Sequence, residues 1–431
     1  MKNIRLIKVS FPATTVDHSH TAARMPSIRF LNAVISATYT IFLVAGLATS
    51  TGLRAQSTDA SSLRIEALYL KQNVERPPAL SNILPPAEDS GLAGARLGIS
   101  DSNTTGRFLK HRYELRELEV GQAEDAVAAA RQHVAAGNVI ILANVAAPTL
   151  LRIAEDEQVH NRAIILNAGA PDDALRQSEC RTGLLHTLPS RAMLGDALAQ
   201  FLASRRWNSW LLLRGSRDAD VAIARAYERS AKRFGARIIA TKEWSFATDL
   251  RRTAQQELPL FTQGGKYDVT LVADEIGDVG EYVPYNTWLP RPVAGTQGLT
   301  PTGWHPVVEQ WGAQQLQNRF RELAGRSMDD RDYAAWVALR AVAEAVTRTS
   351  SVDAATLYAY LLGEEFELAA FKGRSLSFRG WNGQLRQPIP LVQPRAVVSQ
   401  APLPGFLHPR TELDTLGFDE REVQCNFERE L

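Results

Sequence analysis

The segment Val139–Gly169, VIILANVAAPTLLRIAEDEQVHNRAIILNAG, decides how the chain folds. Val139–Leu142 is apolar at every position, which suits a strand buried on both faces. Pro148–Glu157 opens with a proline in its first turn, where an amide donor is dispensable, and then spaces its apolar residues for one helix face. Ala163–Leu166 is a second continuous apolar strand. Strand, helix and strand in so short a span read as a β-α-β unit with parallel strands.

The same alternation extends in both directions. Upstream, Leu63–Leu70 and Tyr113–Leu118 read as strands. Glu88–Leu97 and Ala123–Ala136 read as helices, the second stopped by Gly137 at a C-cap position. Downstream the series restarts after Thr187-Leu188-Pro189. Ser190 can cap a helix to about Ser204, Trp210–Leu213 is a strand, Ala219–Phe234 a helix ended by Gly235, and Ala236–Ala240 and Val269–Ala273 are strands. Two such series predict two α/β lobes. After Pro290 the pattern turns helical over Pro306–Ala324, Asp330–Thr349 and Asp353–Leu362, and Ser375–Phe378 with Pro388–Val392 reads as a small β-hairpin region. Lobe 1 is therefore expected over 63–187 plus about 305–349, and lobe 2 over 188–304 plus about 350–395. The proline-rich remainder, 396–431, is expected to be an extended tail.

The N-terminus has its own logic. Basic Arg29 precedes an apolar run, Leu31–Leu47, and the small residue Ala55 follows it. This reads as a secretory signal peptide over 1–55, with an uncleaved membrane anchor as the alternative. No cysteine follows closely enough for a lipid anchor. Met25 would open such a peptide by itself, which makes 1–24 readable as untranslated upstream sequence. Removal of 1–55 takes away six basic residues and one acidic one, so the formal net charge changes from +1 to −4. That balance argues against a nucleic-acid partner and fits an exported monomer. In an oxidising compartment Cys180 and Cys425, the two cysteines of the chain, are candidates for a disulfide, with two separate buried thiols as the alternative.

Signatures of catalysis are absent. The chain has no GxSxG, HExxH or GxxxxGK[ST] segment, and its eight histidines show no metal-ligand spacing. No enzyme activity, resident metal or cofactor is expected. The strand C-termini carry polar groups instead, where ligands of open α/β sheets bind. Asn144 follows one strand, Asn167 another, and Asp274-Glu275 a third, with Tyr285 just beyond in GEYVPYNTWLP. These five are the expected ligand contacts. The competing reading gives the asparagines to turn chemistry, the acids to a helix N-terminus and the tyrosine to packing.

The order of elements resembles the type I periplasmic binding proteins, above all the branched-chain amino acid receptors of ABC transporters. Longer strings resemble one subgroup, the substrate-binding components encoded beside PQQ-dependent alcohol oxidation systems. These are HTLPSRAMLGDALAQFL (His186–Leu202), PRPVAGTQGL (Pro290–Leu299), EQWGAQQLQNRF (Glu309–Phe320), DYAAWVALRAVAEAVTR (Asp332–Arg348), WNGQLRQPI (Trp381–Ile389) and LDTLG (Leu413–Gly417). The resemblance implies a periplasmic protein that closes two lobes on a small molecule or ion, about a hinge near Leu188, Thr300 and Ser350, and delivers it to an ABC transporter permease in the inner membrane. It also implies a ligand tied to alcohol oxidation: an alcohol-derived acid, the quinone or a metal ion. Asp172, Asp173, Asp274 and Glu275 would suit a hard cation. Amino acid receptors of this family usually carry Ser or Thr in the loops after the first-lobe strands. Here those loops are Asn144-Val145-Ala146-Ala147 and Asn167-Ala168-Gly169-Ala170, which argues against a generic amino acid ligand. The alternatives are an accessory protein that binds a protein partner and has lost the small-ligand site, and a hydrolase or other enzyme on the same fold.

Overall fold

The computed structural model describes residues 62–74, 87–244 and 250–431, so the leader expected over 1–55 lies outside the described residues. The first series runs β1 (Leu63–Gln72), α1 (Leu92–Leu109), β2 (His111–Val120), α2 (Ala123–Ala135), β3 (Ile140–Asn144), α3 (Ala147–Ala154), β4 (Ile164–Asn167), α4 (Ala174–Gln177) and β5 (Leu184–His186). Its five strands pair in parallel in the order β2-β1-β3-β4-β5. One face packs on α2 and α3 through Leu68, Ile141, Leu150 and Ile153. The other packs on α1 and on helices from much later in the chain.

The second series runs α5 (Arg191–Ser204), β6 (Ser209–Arg214), α6 (Asp218–Arg233), β7 (Arg237–Glu243), α7 (Leu250–Phe261), β8 (Val269–Ala273), β9 (Val293–Gly295) and β10 (Thr300–Pro301). β6 to β9 form a second parallel sheet, ordered β7-β6-β8-β9, with Trp210, Leu212 and Leu271 packed on α5 and α6. Ser190 caps α5 as expected, its hydroxyl accepting the Met193 amide. The molecule is thus a two-lobed α/β fold, each lobe a parallel sheet flanked by helices.

The chain then returns through α8 (Ala313–Ala324), α9 (Asp330–Thr349), α10 (Ala354–Leu362) and the short strands β11 (Leu368–Ala369), β12 (Ser375–Phe378) and β13 (Leu385–Arg386). All of them share the first lobe's core, where Trp336, Leu357, Leu361, Leu376 and Leu385 are buried together. β14 (Ile389–Gln393) pairs with β10 and β15 (Ala396–Ala401) pairs with β14, and Ile389, Leu391 and Ala401 enter the second lobe's core. Two expected boundaries therefore move. Residues 354–386 belong to lobe 1, because the apolar face of α10 covers that core. Ala396–Ala401 is an edge strand and not tail, because its backbone pairs with β14.

The three crossings between lobes lie at 187–190, 301–304 and 386–389, and the third is not near Ser350. They are knitted by buried polar side chains. The Gln387 amide donates to the Thr187 carbonyl at 2.8 Å, and its oxygen accepts from the Lys372 ammonium. Asp330 accepts from the Thr302 hydroxyl and from the Gly303 and Trp304 amides. Arg176 donates to Gln384 and to the Leu188 carbonyl, and Gln384 donates to the His186 and Leu188 carbonyls.

α1 and α9 approach so closely that a Cβ at Gly94 would overlap the Asp332 backbone carbonyl. Asp332 meanwhile accepts the Gly91 amide at 2.8 Å and pairs with Arg326. Gly94→Ala should therefore destabilise the protein by about 1–3 kcal/mol, since overpacking outweighs alanine's gain in helix propensity. Urea unfolding measures this, and an unchanged or raised midpoint would contradict the packing described.

Candidate functional site

Each sheet reverses strand order beside its second strand pair, β1/β3 in lobe 1 and β6/β8 in lobe 2, and the crevice beyond the strand C-termini at these points is the expected ligand position. Asn144, Asn167 and Asp274 end or directly follow the strands β3, β4 and β8, with Glu275 one residue further on, whereas Tyr285 lies on an exposed loop. The polar groups of these four are hydrogen-bonded within the chain.

Asn144 ends β3, and its amide donates to the Tyr69 hydroxyl at 2.9 Å and the Ser90 carbonyl at 3.2 Å. Asn167 ends β4 and is fully buried. Its oxygen accepts the Gly169 and Ala170 amides, and its nitrogen donates to the Ala170 carbonyl and to His186 Nδ1. This is an asparagine spent on its own turn. Asp274, at the end of β8, accepts the Gly277, Val279 and Gly280 amides at 2.8, 2.9 and 2.6 Å. Tyr285 projects fully into solvent from a residue at φ 72°, in the left-handed region.

Glu275, the next residue after Asp274, is held by an arginine. Both its oxygens accept from Arg191, at 2.6 and 2.9 Å, and Arg191 also lies 3.2 Å from Asp172. Asp172 follows β4 in lobe 1, whereas Glu275 follows β8 in lobe 2, so one guanidinium joins the two lobes across the cleft. Arg191 is nearly buried, and the two carboxylates outweigh the desolvation of its charge, so its proton is held even more firmly than usual. Sequence reasoning passed over Arg191. The available signal was a cation in the first turn of a helix, where the macrodipole disfavours it unless acids hold it.

An interlobe cavity of about 570 Å³ is lined by Asp172 and Arg191 of this triad but by none of the five residues expected to contact a ligand. Asp172, Asp173, Ala174 and Gln177 line it from lobe 1, and Ala222, Arg225, Ala226 and Arg229 of α6 line it from lobe 2. Arg191 stands at one side, and Phe418 and Glu422 of the C-terminal segment complete the wall. The volume is in the range that holds small ligands, about 300–1,000 Å³. The four acids considered for a hard cation do not converge. Among the described residues no group of three or more His, Cys, Asp or Glu could hold a metal ion. Nor is any helix among them long and apolar enough to cross a membrane.

In lobe 2, Asp220 is buried in the first turn of α6 and accepts the Glu275 amide at 2.9 Å. Burial pushes its pKa up to about 6, and the nearby Asp274 and Asp278 add to the shift. In the unfolded chain an aspartate titrates near 4, so between about pH 4 and pH 6 the native state binds the extra proton. Stability falls as pH rises through that window and stays lower above it. Asp220→Asn keeps the acceptor and removes the charge. It should gain about 2–3 kcal/mol over the wild type at pH 8 and little or nothing at pH 4. Chemical denaturation at both pH values measures the difference, and an equal effect at both would contradict a buried, titrating Asp220.

The family model described as periplasmic binding protein matches residues 84–256. A branched-chain amino acid ABC transporter periplasmic ligand-binding protein from Burkholderia xenovorans superposes with a TM-score of 0.65 at 16% identity, covering 84% of this chain and 99% of its own. The leucine-, isoleucine-, valine-, threonine- and alanine-binding protein from Brucella ovis, in its closed conformation, gives 0.62 at 14% identity, with 85% and 98% covered. The solute-binding protein of an ABC transporter from Rhodopseudomonas palustris, in complex with 3,4-dihydroxybenzoic acid, gives 0.55 at 12% identity, with 76% and 92% covered. A comparison with curated protein sequences finds no match. At these identities the likeness is one of architecture, and it assigns the chain the two-lobed fold of the type I periplasmic binding proteins.

Proposed function

We propose that the protein is the periplasmic solute-binding component of an ABC transporter, and not an enzyme. A small ligand enters between the lobes, the lobes close about the three crossings, and the closed form is the one the inner-membrane permease receives. The observation that carries this reading is the interlobe cavity of about 570 Å³, whose wall is shared by the two lobes and flanked by the Asp172–Arg191–Glu275 bridge. Solved proteins of this fold include receptors for amino acids and for an aromatic acid. Export through a cleaved leader follows from the reading of residues 1–55, and a monomer suits one-to-one delivery.

Of the residues expected to touch the ligand, Glu275 is retained, acting with Arg191 and Asp172. Asn144, Asn167 and Asp274 shape the cleft loops through their internal hydrogen bonds. The missing hydroxyls in the two lobe 1 loops speak against the α-amino acid class, and the resemblance of the long strings to the alcohol-oxidation subgroup points to a ligand of that metabolism, an alcohol-derived acid foremost.

A second reading has one observation behind it: three of the five expected contacts are hydrogen-bonded within their own chain, and a fourth is held by Arg191. A protein with a filled cleft would instead serve as an accessory that docks a periplasmic partner.

Thermal unfolding of the protein purified from the periplasm, scanned with short-chain alcohols, carboxylic acids, amino acids, PQQ and divalent metal ions, separates the two. A true ligand at a hundredfold excess over its Kd stabilises by about 2.7 kcal/mol. We expect a shift with carboxylic acids that Arg191→Ala abolishes. No shift with any class would refute the receptor reading and leave the accessory one.

A further inference from the structure

The turn from α1 into β2, GRFLKHRY (Gly106–Tyr113), is an uncovered corner of lobe 1. Phe108 is 84% exposed and Leu109 43%, and the exposed side chains of Arg107, Lys110 and Arg112 surround them. The stretch holds no acidic residue. Arg112 pairs with Glu114 at 2.8 Å, whereas Arg107 and Lys110 have no carboxylate partner among the described residues. Cations at the end of a helix suit its dipole, which accounts for Arg107 and Lys110. The dipole gives no reason for a phenylalanine and a leucine facing water between them.

The corner is tightly built. Lys110 takes the left-handed conformation, φ 58°, and its amide donates to the Gly106 carbonyl. A Cβ at Gly106 would strike the His111 carbonyl, so this close a turn needs glycine there. Asn103 of α1 donates to the Tyr113 carbonyl at 2.8 Å and accepts the Tyr113 amide at 2.9 Å. The backbone that presents the apolar pair is thus fixed before any partner meets it, which lowers the ordering cost of contact.

The turn lies at the N-terminal ends of β1 and β2, the opposite end of the sheet from the cleft, so covering it leaves ligand entry free. At the β5 edge of that same end, C-terminal residues already form a cover. The Cys180–Cys425 disulfide anticipated in the sequence is formed, and Leu431 lies against Gly183. At the β1–β2 edge, the Leu63 amide donates to the Lys110 carbonyl at 2.9 Å, so the chain upstream of β1 joins the lobe at this turn. Residues 48–62 alone separate Leu63 from the apolar run Leu31–Leu47. Fully extended they span at most about 50 Å, so whenever that run occupies a bilayer, this corner is tied within that reach of its surface.

We propose that the α1–β2 turn is a membrane-surface contact, in which Phe108 and Leu109 enter the headgroup region of an anionic phospholipid bilayer while Arg107, Lys110 and Arg112 meet its phosphates. Apolar tips flanked by cations are the chemistry such a surface takes up. Each cation is worth about fivefold in partitioning there, and the two apolar side chains add area removed from water. The contact is weak and reversible. It needs neither a bound ligand nor lobe movement, so it stands apart from the receptor reading.

Co-sedimentation of the protein purified from the periplasm with vesicles of mixed phosphatidylglycerol and phosphatidylcholine tests it. The wild type should pellet with the mixed vesicles and hardly at all with phosphatidylcholine alone. About 1 M salt, where the Debye length is about 3 Å, should release it. Arg107→Glu/Lys110→Glu should weaken binding about tenfold or more, and Phe108→Ser about tenfold. These side chains are exposed, so both variants should keep the wild-type thermal midpoint. No binding to the mixed vesicles, equal binding to neutral ones, or binding that both variants retain would overturn the inference. So would self-association in sedimentation velocity that Phe108→Ser abolishes without any vesicle binding, which would give the corner to a second copy of the chain.

Discussion

The structure depends on one constraint: three chain crossings must pass between two separate cores without leaving backbone polar groups unpaired. Ordinary loops would meet that need with water. Here buried side chains meet it, Gln387 for the first crossing, Asp330 for the second, and Lys372 with Gln387 for the third. Burial lowers the Lys372 pKa to about 7, and Asp330, itself buried with its pKa raised, opposes that shift in part. Gln387 thus ties the first and third crossings to each other, and Asp330 ties the second to α9.

The cleft follows from the same arrangement. Because β3, β4 and β8 all end toward it, their terminal residues carry the loops that face the opposite lobe. Most of that polarity is spent holding the loops in shape. What crosses the gap is Arg191, whose position at the first crossing lets it reach acids on both sides. An exposed ion pair is worth little, but this one is mostly shielded from solvent and its geometry toward Glu275 is bidentate.

Much of the fold was legible in the sequence for a simple reason. Runs such as IILAN and VTLVA are buried on both faces, so their apolar continuity needs no knowledge of partners. Gly137 and Gly235 mark helix stops through backbone conformations that glycine tolerates, φ 87° and 73°. The partner of a buried face was not legible: the pattern of α10 says that Leu357 and Leu361 are covered, and nothing local says that lobe 1 covers them. The pairing of β15 was hidden likewise, since Ala396–Ala401 is half-exposed and follows a proline-rich stretch. Among the site residues, position was readable and occupancy was not. Asn144, Asn167 and Asp274 sit at strand ends as expected, but only the fold shows that backbone amides and neighbouring side chains already claim them.

The account's central claim is that the crossings form a buried, hydrogen-bonded hinge and are not flexible linkers. Peptide-resolved amide hydrogen exchange on the native protein tests it most directly. The segments 187–190, 301–304 and 386–389 should be protected to nearly the same degree as β3 and β8, and Gln387→Ala should raise exchange at 187–190 and 386–389 together. Exchange at surface-loop rates in the wild type, or a Gln387→Ala effect confined to one segment, would contradict it.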